Sequence, residues 1–186
     1  DTSCYIYGTL FCKCQMFLCS ETEAVYESKE MQEYITYQTL HHSKQWVYEI
    51  LEGQRESSQV AYRDPEGAFV LLPSLCETNL TKTKSFIAIF ADRSLRCLRD
   101  LRGHHIETIR RVKDTCLEKL GGIRDHWYCT VHYHPSVYQL HFHFRQHNER
   151  NIARVFSVDD VLDNLTADSD FYKKAVLSFS ISSSAD

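Results

Sequence analysis

Imidazole side chains recur at every second position close to residue 140. His141 and His143 follow Gln139 at intervals of two, while the residues between and after them are apolar: Leu140, Phe142, Phe144. Since successive side chains of a β-strand point to opposite faces, we predict that the glutamine and both histidines share one polar face and that the apolar residues face a core. Pro135-Ser136 is a turn signal, and a two-residue turn there would pair His132 with Gln139 on the same face.

Three imidazoles and an amide on one sheet face could serve two kinds of chemistry. Neutral imidazoles two residues apart can bind zinc or iron, although such sites normally recruit a carboxylate or a more distant histidine. Alternatively, one imidazole attacks a phosphorus atom while its neighbours stabilise charge and protonate the leaving group. Histidine suits this role because much of it is unprotonated at neutral pH. The spacing alone leaves both possibilities open.

The sequence around this face predicts an α+β domain with a largely antiparallel sheet. A helix over 43–53 carries Trp46, a second spans 106–120, and a third, capped at its start, spans 157–165. Residues 20–40 read as a helix or an extended arm. Strands are predicted at apolar or alternating segments: 69–72, 86–90, 127–134, 137–145, 175–181.

The bulk properties exclude several classes of protein. A net charge of −4 over 186 residues argues against a protein that coats nucleic acid by neutralising its phosphates, although a small nucleotide ligand is compatible with it. No apolar run approaches the roughly 20 residues that span a bilayer. The eight cysteines lack the two close pairs of a zinc signature. We therefore expect reduced thiols in a soluble protein of the cytoplasm and nucleus, with no membrane or DNA partner.

The histidine segment resembles the signature of the histidine-triad hydrolases, and the wider sequence is similar to one branch of them, the scavenger mRNA-decapping enzymes. The similarity runs from about Gln45 to Ile181. Blocks that follow one another in the family's order carry it: Gln45-Trp46-Val47-Tyr48 with Ile50-Leu51, Phe69-Val70-Leu71 with Pro73, Ser94-Leu95-Arg96 with Leu98-Arg99-Asp100-Leu101, His132-Tyr133 with Pro135-Ser136, and Leu140-His141 with His143-Phe144. The resemblance implies a histidine-triad fold, with a central antiparallel sheet and packed helices.

The resemblance also implies a role for each matching residue. His141 matches the central histidine of the triad, which is the nucleophile, and His143 matches the last one. Trp46 matches the tryptophan that stacks on the methylated guanine, Glu56 the carboxylate that reads the guanine edge, and Leu75 an apolar contact opposite the tryptophan. The expected phosphate-binding residues are these four: Ser136, Arg154, His132, Gln139.

The activity implied is that of an m7GpppX diphosphatase, which hydrolyses the residual cap of short capped RNA after 3'-to-5' decay. His141 would form a covalent intermediate and 7-methyl-GMP would be released, without a metal or another cofactor. The expected ligands are the cap dinucleotide and short capped RNA, and the expected assembly is a homodimer. Two alternatives stay open: a cap-binding protein with impaired catalysis, and a nucleotide hydrolase of broader specificity.

The sequence departs from the family pattern in three places. Gln139 stands at the first triad position, and the block Pro-Asp-Leu-Lys-Trp is replaced by Pro73-Ser74-Leu75-Cys76-Glu77, so that an acidic and a basic phosphate ligand are missing. Lys82 or Lys84 could substitute for the lost cation. The resemblance also leaves most of the family's N-terminal domain unmatched in this sequence. We therefore expect residues 1–42 to be a remnant of an N-terminal region or linker and 43–186 to be the catalytic domain, in an incomplete or less active chain.

Overall fold

A computed structural model of the chain describes seven stretches: residues 5–7, 15–41, 45–54, 60–74, 85–121, 127–146 and 155–183. The strands are β1 (Tyr5–Tyr7), β2 (Gln15–Glu21), β3 (Tyr62–Arg63), β4 (Phe69–Pro73), β5 (Ser85–Phe90), β6 (Tyr128–His132), β7 (His141–Arg145), β8 (Val155–Ser157) and β9 (Leu177–Ser183). The helices are α1 (Glu23–Tyr26), α2 (Lys29–His41), α3 (Gln45–Leu51), α4 (Ile106–Lys119), α5 (Val158–Ala167) and α6 (Phe171–Lys174). No helix in these stretches is long and apolar enough to cross a membrane.

Six strands form the central sheet, in the order β3-β4-β5-β7-β6-β8, and every paired neighbour is antiparallel. This confirms the predicted α+β class. The strands at 69–73 and 85–90 lie where apolar runs predicted them, because residues buried on both faces of a central sheet read as continuous hydrophobic sequence.

Both faces of the sheet are covered, and the alternation along β4 and β5 divides their side chains between two cores. Phe69, Leu71, Ala88 and Phe90 belong to the main core with residues of α4 and α5. The alternate residues belong to a smaller core on the opposite face, with two residues of α3: Val70, Leu72, Ile87, Ile89, Val47, Ile50. The face of the sheet on which a strand residue lies therefore determines which layer of helices its side chain contacts.

The helices follow local sequence signals. α4 buries Ile109, Val112 and Cys116 on one side, as the predicted apolar spacing requires, and Gly121 follows it with a φ of 106°, a conformation that favours glycine. α5 begins at the predicted cap, where the Ser157 hydroxyl accepts a hydrogen bond from the Asp159 amide at 3.2 Å.

A second sheet, in the order β1-β2-β9, joins the beginning of the chain to its end. Seven residues of β2 pair antiparallel with β9, from Gln15 opposite Ser183 to Glu21 opposite Leu177. Tyr26 and Ile35 are buried in the main core. The described part of residues 1–42, for which the sequence predicted a remnant or linker, therefore packs directly on the rest of the domain.

The four cysteines of the described residues are buried, and none of them forms a disulfide: Cys19, Cys97, Cys116, Cys129. This is consistent with the reduced thiols that the sequence predicts. Burial raises the pKa of the Cys116 thiol to about 12, so this side chain packs as an apolar group and is a poor nucleophile. The remaining cysteines, at positions 4, 12, 14 and 76, lie outside the described residues.

Candidate active site

A cavity of about 180 Å³ lies on the face of the sheet that α3 covers. Its described lining comes from α3, the residue after β4, β5, the segment 133–140 and β7: Trp46, Val47, Ser74, Ile87, Ile89, Ser136, Val137, Gln139, His141, His143. None of these lining residues is a lysine, arginine, aspartate or glutamate. A larger cavity of about 660 Å³ lies beside α4 and β8, and its described lining includes none of the predicted site residues.

β7 places two histidines against this cavity and the alternate residues in the main core. His141 lies opposite Ile89, and His143 lies opposite Ile87, in the pairing of β5 with β7. Leu140, Phe142 and Phe144 are at most 1% exposed and belong to the main core. The predicted division between a polar face and a core face is confirmed.

Three imidazoles come together, as the sequence predicted. The His132 and His143 rings are stacked, with centroids 3.9 Å apart and planes 17° apart. The His141 and His143 centroids are 5.0 Å apart at 65°. A metal ion lies in the plane of the imidazole that binds it, so two stacked parallel rings are badly oriented to share one zinc ion at the usual ~2.0–2.1 Å. This geometry disfavours the metal alternative.

The predicted two-residue hairpin is wrong. β6 ends at His132 and β7 begins at His141, and the whole segment 133–140 connects them. Thr130 pairs with His143, a register that, if continued, sets His132 opposite His141 and not opposite Gln139. The connection is long because Tyr133 and Tyr138, which a tight turn would expose, are 0% and 2% exposed in the core.

A main-chain hydrogen bond fixes the tautomer of His141. Its Nδ1 lies 2.7 Å from the Gln139 carbonyl oxygen, and since a carbonyl only accepts, Nδ1 carries the hydrogen. Burial lowers the pKa of His141 below its ordinary 6.5, against the smaller, opposing effect of that hydrogen bond. His141 is therefore a neutral imidazole at pH 7 whose Nε2 keeps its lone pair, the form that can attack phosphorus.

The Gln139 side chain is 1% exposed and lies before β7, not within it. Its Nε2 donates to the carbonyl oxygens of Phe90 at 2.8 Å and Asp92 at 2.9 Å. Only an amide nitrogen can donate to two carbonyls, so the orientation of the group is settled. Both N–H donors are thus committed, and the phosphate role predicted for Gln139 is left without a donor.

Trp46 lies at the cavity on α3, and it is partly exposed there. The helix is held beneath it by Val47 and Ile50, which are 2% and 3% exposed. The Arg63 guanidinium closes the helix end, donating to the carbonyl oxygens of Ile50 and Leu51 at 2.6 Å each.

Arg93 holds the same helix from the segment that follows β5. It donates to Glu52 Oε1 at 2.7 Å and lies 4.2 Å above the centre of the Tyr48 ring. Sequence reasoning missed both Arg93 and Arg63, because an arginine in a turn or at a strand end carries no local signal for a distant helix.

The structure brings together Ser136, Gln139, His141 and His143 with Trp46 at one cavity, and His132 stacks on this set. Ser74, at the position of the missing family aspartate, also lines it. The other predicted residues lie outside the described residues: Glu56, Leu75, Arg154, and the substitute cations Lys82 and Lys84.

Comparison with known proteins assigns a family to this arrangement. Residues 45–154 match the family model described as "Scavenger mRNA decapping enzyme C-term binding". The chain is 31% identical to the m7GpppX diphosphatase of Caenorhabditis elegans, over 89% of this chain and 56% of that protein. It is 31% identical to the m7GpppX diphosphatase of Homo sapiens, over 75% of this chain and 44% of that protein. The chain spans about half the length of these curated relatives.

Proposed function

The chain belongs to the scavenger mRNA-decapping enzyme family, and from that premise we propose that it is an m7GpppX diphosphatase. Its substrate would be the cap dinucleotide or a short capped RNA left by 3'-to-5' decay. The observation that carries this proposal is the neutral His141, fixed through Nδ1 by the Gln139 carbonyl, at a cavity that Trp46 also lines. The site then has a nucleophile and a stacking surface for a base on the same face.

In the proposed reaction, the methylated guanine stacks on Trp46. The base is cationic, so stacking gains a cation–π contribution of about 0.5–2 kcal/mol. His141 Nε2 attacks the phosphorus nearest the methylguanosine, forming an N–P bond as the P–O bond to the nucleoside diphosphate breaks. Water then cleaves the N–P bond and releases 7-methyl-GMP. Little covalent chemistry is required of the protein beyond placement of these groups and stabilisation of charge on the phosphate oxygens.

The remaining imidazoles would act on the phosphates. His143 shares the cavity with His141, and the stacked His132 supports its ring from the side. Ser136 supplies a hydroxyl at the same cavity. Glu56, Leu75 and Arg154 keep the roles that the family resemblance implies, for the guanine edge, the opposite face of the base and the phosphates.

A cap-binding protein without turnover is the second candidate. The observation that favours it is Ser74, which lines the cavity where the family block has an aspartate. The same block has Cys76 in place of the family's lysine, and loss of that cation weakens transition-state stabilisation, in which single donors are typically worth about 3–4 kcal/mol. Base stacking on Trp46 does not depend on that residue, so binding could persist when hydrolysis is lost.

The deciding experiment incubates the chain with m7GpppG, with the adenylated dinucleotide ApppA, and with chelator. Release of 7-methyl-GMP from m7GpppG in chelator supports the diphosphatase. Quenching of tryptophan fluorescence by m7GpppG without any product supports the binding protein. Preference for ApppA would refute the assignment of the cap as substrate. Loss of activity in chelator would support the alternative in which the histidines bind zinc.

The expected homodimer and the location in cytoplasm and nucleus belong to this proposal too. Four buried cysteines form no disulfide, which is consistent with a reducing compartment: Cys19, Cys97, Cys116, Cys129. Light scattering on the purified chain tests the dimer, and imaging of a tagged chain tests the location.

A further inference from the structure

A buried carboxylate outside the cavity contacts the segment that shapes it. Glu21, the last residue of β2, is 1% exposed, and its Oε1 accepts a hydrogen bond from Arg99 Nε at 3.1 Å. The other Arg99 nitrogens donate to main-chain carbonyls of Glu21, Tyr172, Lys173 and Ala175. All three guanidinium nitrogens of Arg99 thus donate hydrogen bonds, and Arg99 fixes Glu21 in the core.

Glu21 holds the connection 133–140 at its beginning. The Tyr133 hydroxyl donates to Glu21 Oε1, and His134 Nε2 lies 3.0 Å from Glu21 Oε2. Burial by itself would raise the pKa of Glu21, but the hydrogen bonds from His134 and Tyr133 and the charge of Arg99 lower it overall. The carboxylate is therefore ionised at neutral pH and accepts from both side chains.

His134 extends this contact to the far end of the connection. Its Nδ1 lies 2.9 Å from the Tyr138 hydroxyl. Tyr138 directly precedes Gln139, whose carbonyl oxygen accepts a hydrogen bond from His141 Nδ1. Between the two held ends lie Ser136 and Val137, both of which line the cavity.

We propose that Glu21, His134 and Tyr138 form a positioning relay that fixes the connection 133–140, and through the Gln139 carbonyl the orientation of His141. The effect of the relay on catalysis rests on the proposed function, whereas its effect on the connection 133–140 does not. None of its three members lines the cavity, so each is a positioning residue and not a catalytic one. The carboxylate comes from the β1-β2-β9 sheet, which gives the N-terminal part of the chain a role in the reaction.

Tyr138→Phe tests the relay with the least disturbance, because it removes one hydroxyl and leaves the ring in the core. We expect kcat for m7GpppG to fall by roughly tenfold or more, since a misplacement of about 1 Å can cost about a hundredfold in rate. KM should change much less than kcat, because Trp46 is held by α3 and not by this connection. His134→Leu should reproduce the loss, and His134→Gln, which keeps a donor for Glu21, should recover part of it.

Tyr26→Phe is the matched control. Tyr26 is also a buried tyrosine, and its hydroxyl bonds Cys97 and Arg96 without contacting the connection 133–140. It should lower thermal stability about as much as Tyr138→Phe while leaving kcat unchanged. Wild-type kcat in Tyr138→Phe, or an equal loss of kcat in Tyr26→Phe, would overturn the relay.

Amide hydrogen exchange separates this proposal from the proposed function. The Leu140 amide donates to the Leu95 carbonyl at 2.8 Å, so its exchange reports whether the connection is held. Tyr138→Phe should accelerate exchange at Leu140 and leave β4 unaffected. If the wild-type chain does not hydrolyse m7GpppG, the proposed function fails and exchange alone decides the relay: unchanged exchange at Leu140 refutes it.

Discussion

Replacement of Gln139 by glutamate is the sharpest test of how the site is built. Gln139→Glu keeps the shape of the side chain and exchanges the donating NH2 for oxygen. The carbonyls of Phe90 and Asp92, now at 2.8 and 2.9 Å from Nε2, would face a second acceptor. Each buried hydrogen bond lost in this way costs about 1–3 kcal/mol, so the two together cost roughly 2–6 kcal/mol. That is a large part of the 5–15 kcal/mol by which typical domains are stable.

The cost should depend on pH with a defined sign. A carboxyl that is 1% exposed like Gln139 and faces carbonyl oxygens has a folded pKa above its unfolded value of about 4.3. Between those two values the folded state binds more protons than the unfolded state. The variant should therefore be least destabilised near pH 5, and the deficit should grow by up to about 1.4 kcal/mol per pH unit as pH rises.

Urea unfolding of wild type and variant between pH 5 and 8, followed by circular dichroism, measures this difference. Gln32→Glu is the control, because Gln32 Nε2 donates to one carbonyl, that of Tyr26 at 2.7 Å, at a half-buried position remote from the cavity; its effect should be smaller and depend less on pH. A Gln139→Glu chain as stable as wild type at pH 7, with weakened binding of m7GpppG, would refute this reasoning. Gln139 would then bind phosphate, as the sequence predicted.

Three further outcomes are expected. His141→Asn should abolish turnover and keep binding of m7GpppG, while His143→Asn should leave a slow enzyme; trapping and mapping a phosphohistidine measures this, and an adduct on His143 would reverse the assignment. Because burial lowers the pKa of His141 from 6.5, the acidic limb of the kcat/KM profile should lie below pH 6.5, and a limb above it would contradict a buried nucleophile. Arg63→Leu removes the hydrogen bonds that close α3. The Kd for m7GpppG, measured by tryptophan fluorescence, should then rise by about fivefold if about 1 kcal/mol of binding free energy is lost. An unchanged Kd would mean that Trp46 is held in place without Arg63.

The sequence predicted those parts of the fold that depend on local pattern. The apolar run at 69–72 and the helical spacing at 106–120 each lie in an element of the predicted type. The alternation at His141 and His143 correctly predicted which side chains face the core, because side-chain period alone decides that. Periodicity therefore correctly placed these residues together at the candidate site.

Contacts between distant residues were beyond local pattern. The pairing of β2 with β9 joins the two ends of the chain, and Glu21 is 78 residues from Arg99. The length of the connection 133–140 depends on where Tyr133 and Tyr138 are buried, which Pro135-Ser136 could not reveal. For the same reason, the sequence showed an amide at position 139 but could not show that it donates hydrogen bonds to the carbonyls of Phe90 and Asp92.

The position of the histidines beside Trp46 follows from the same alternation that builds the two cores. Ile87 and Ile89 pack toward α3, and their partners across the strand pair are His143 and His141. Side chains paired across a sheet lie on one face, so the layer that anchors α3 and Trp46 is also the layer that carries His141, the proposed nucleophile. A slip of one residue in β7 would exchange Phe142 with the histidines and bury imidazoles in the main core. The hydrophobic pattern that stabilises the sheet therefore also fixes the geometry of the candidate active site.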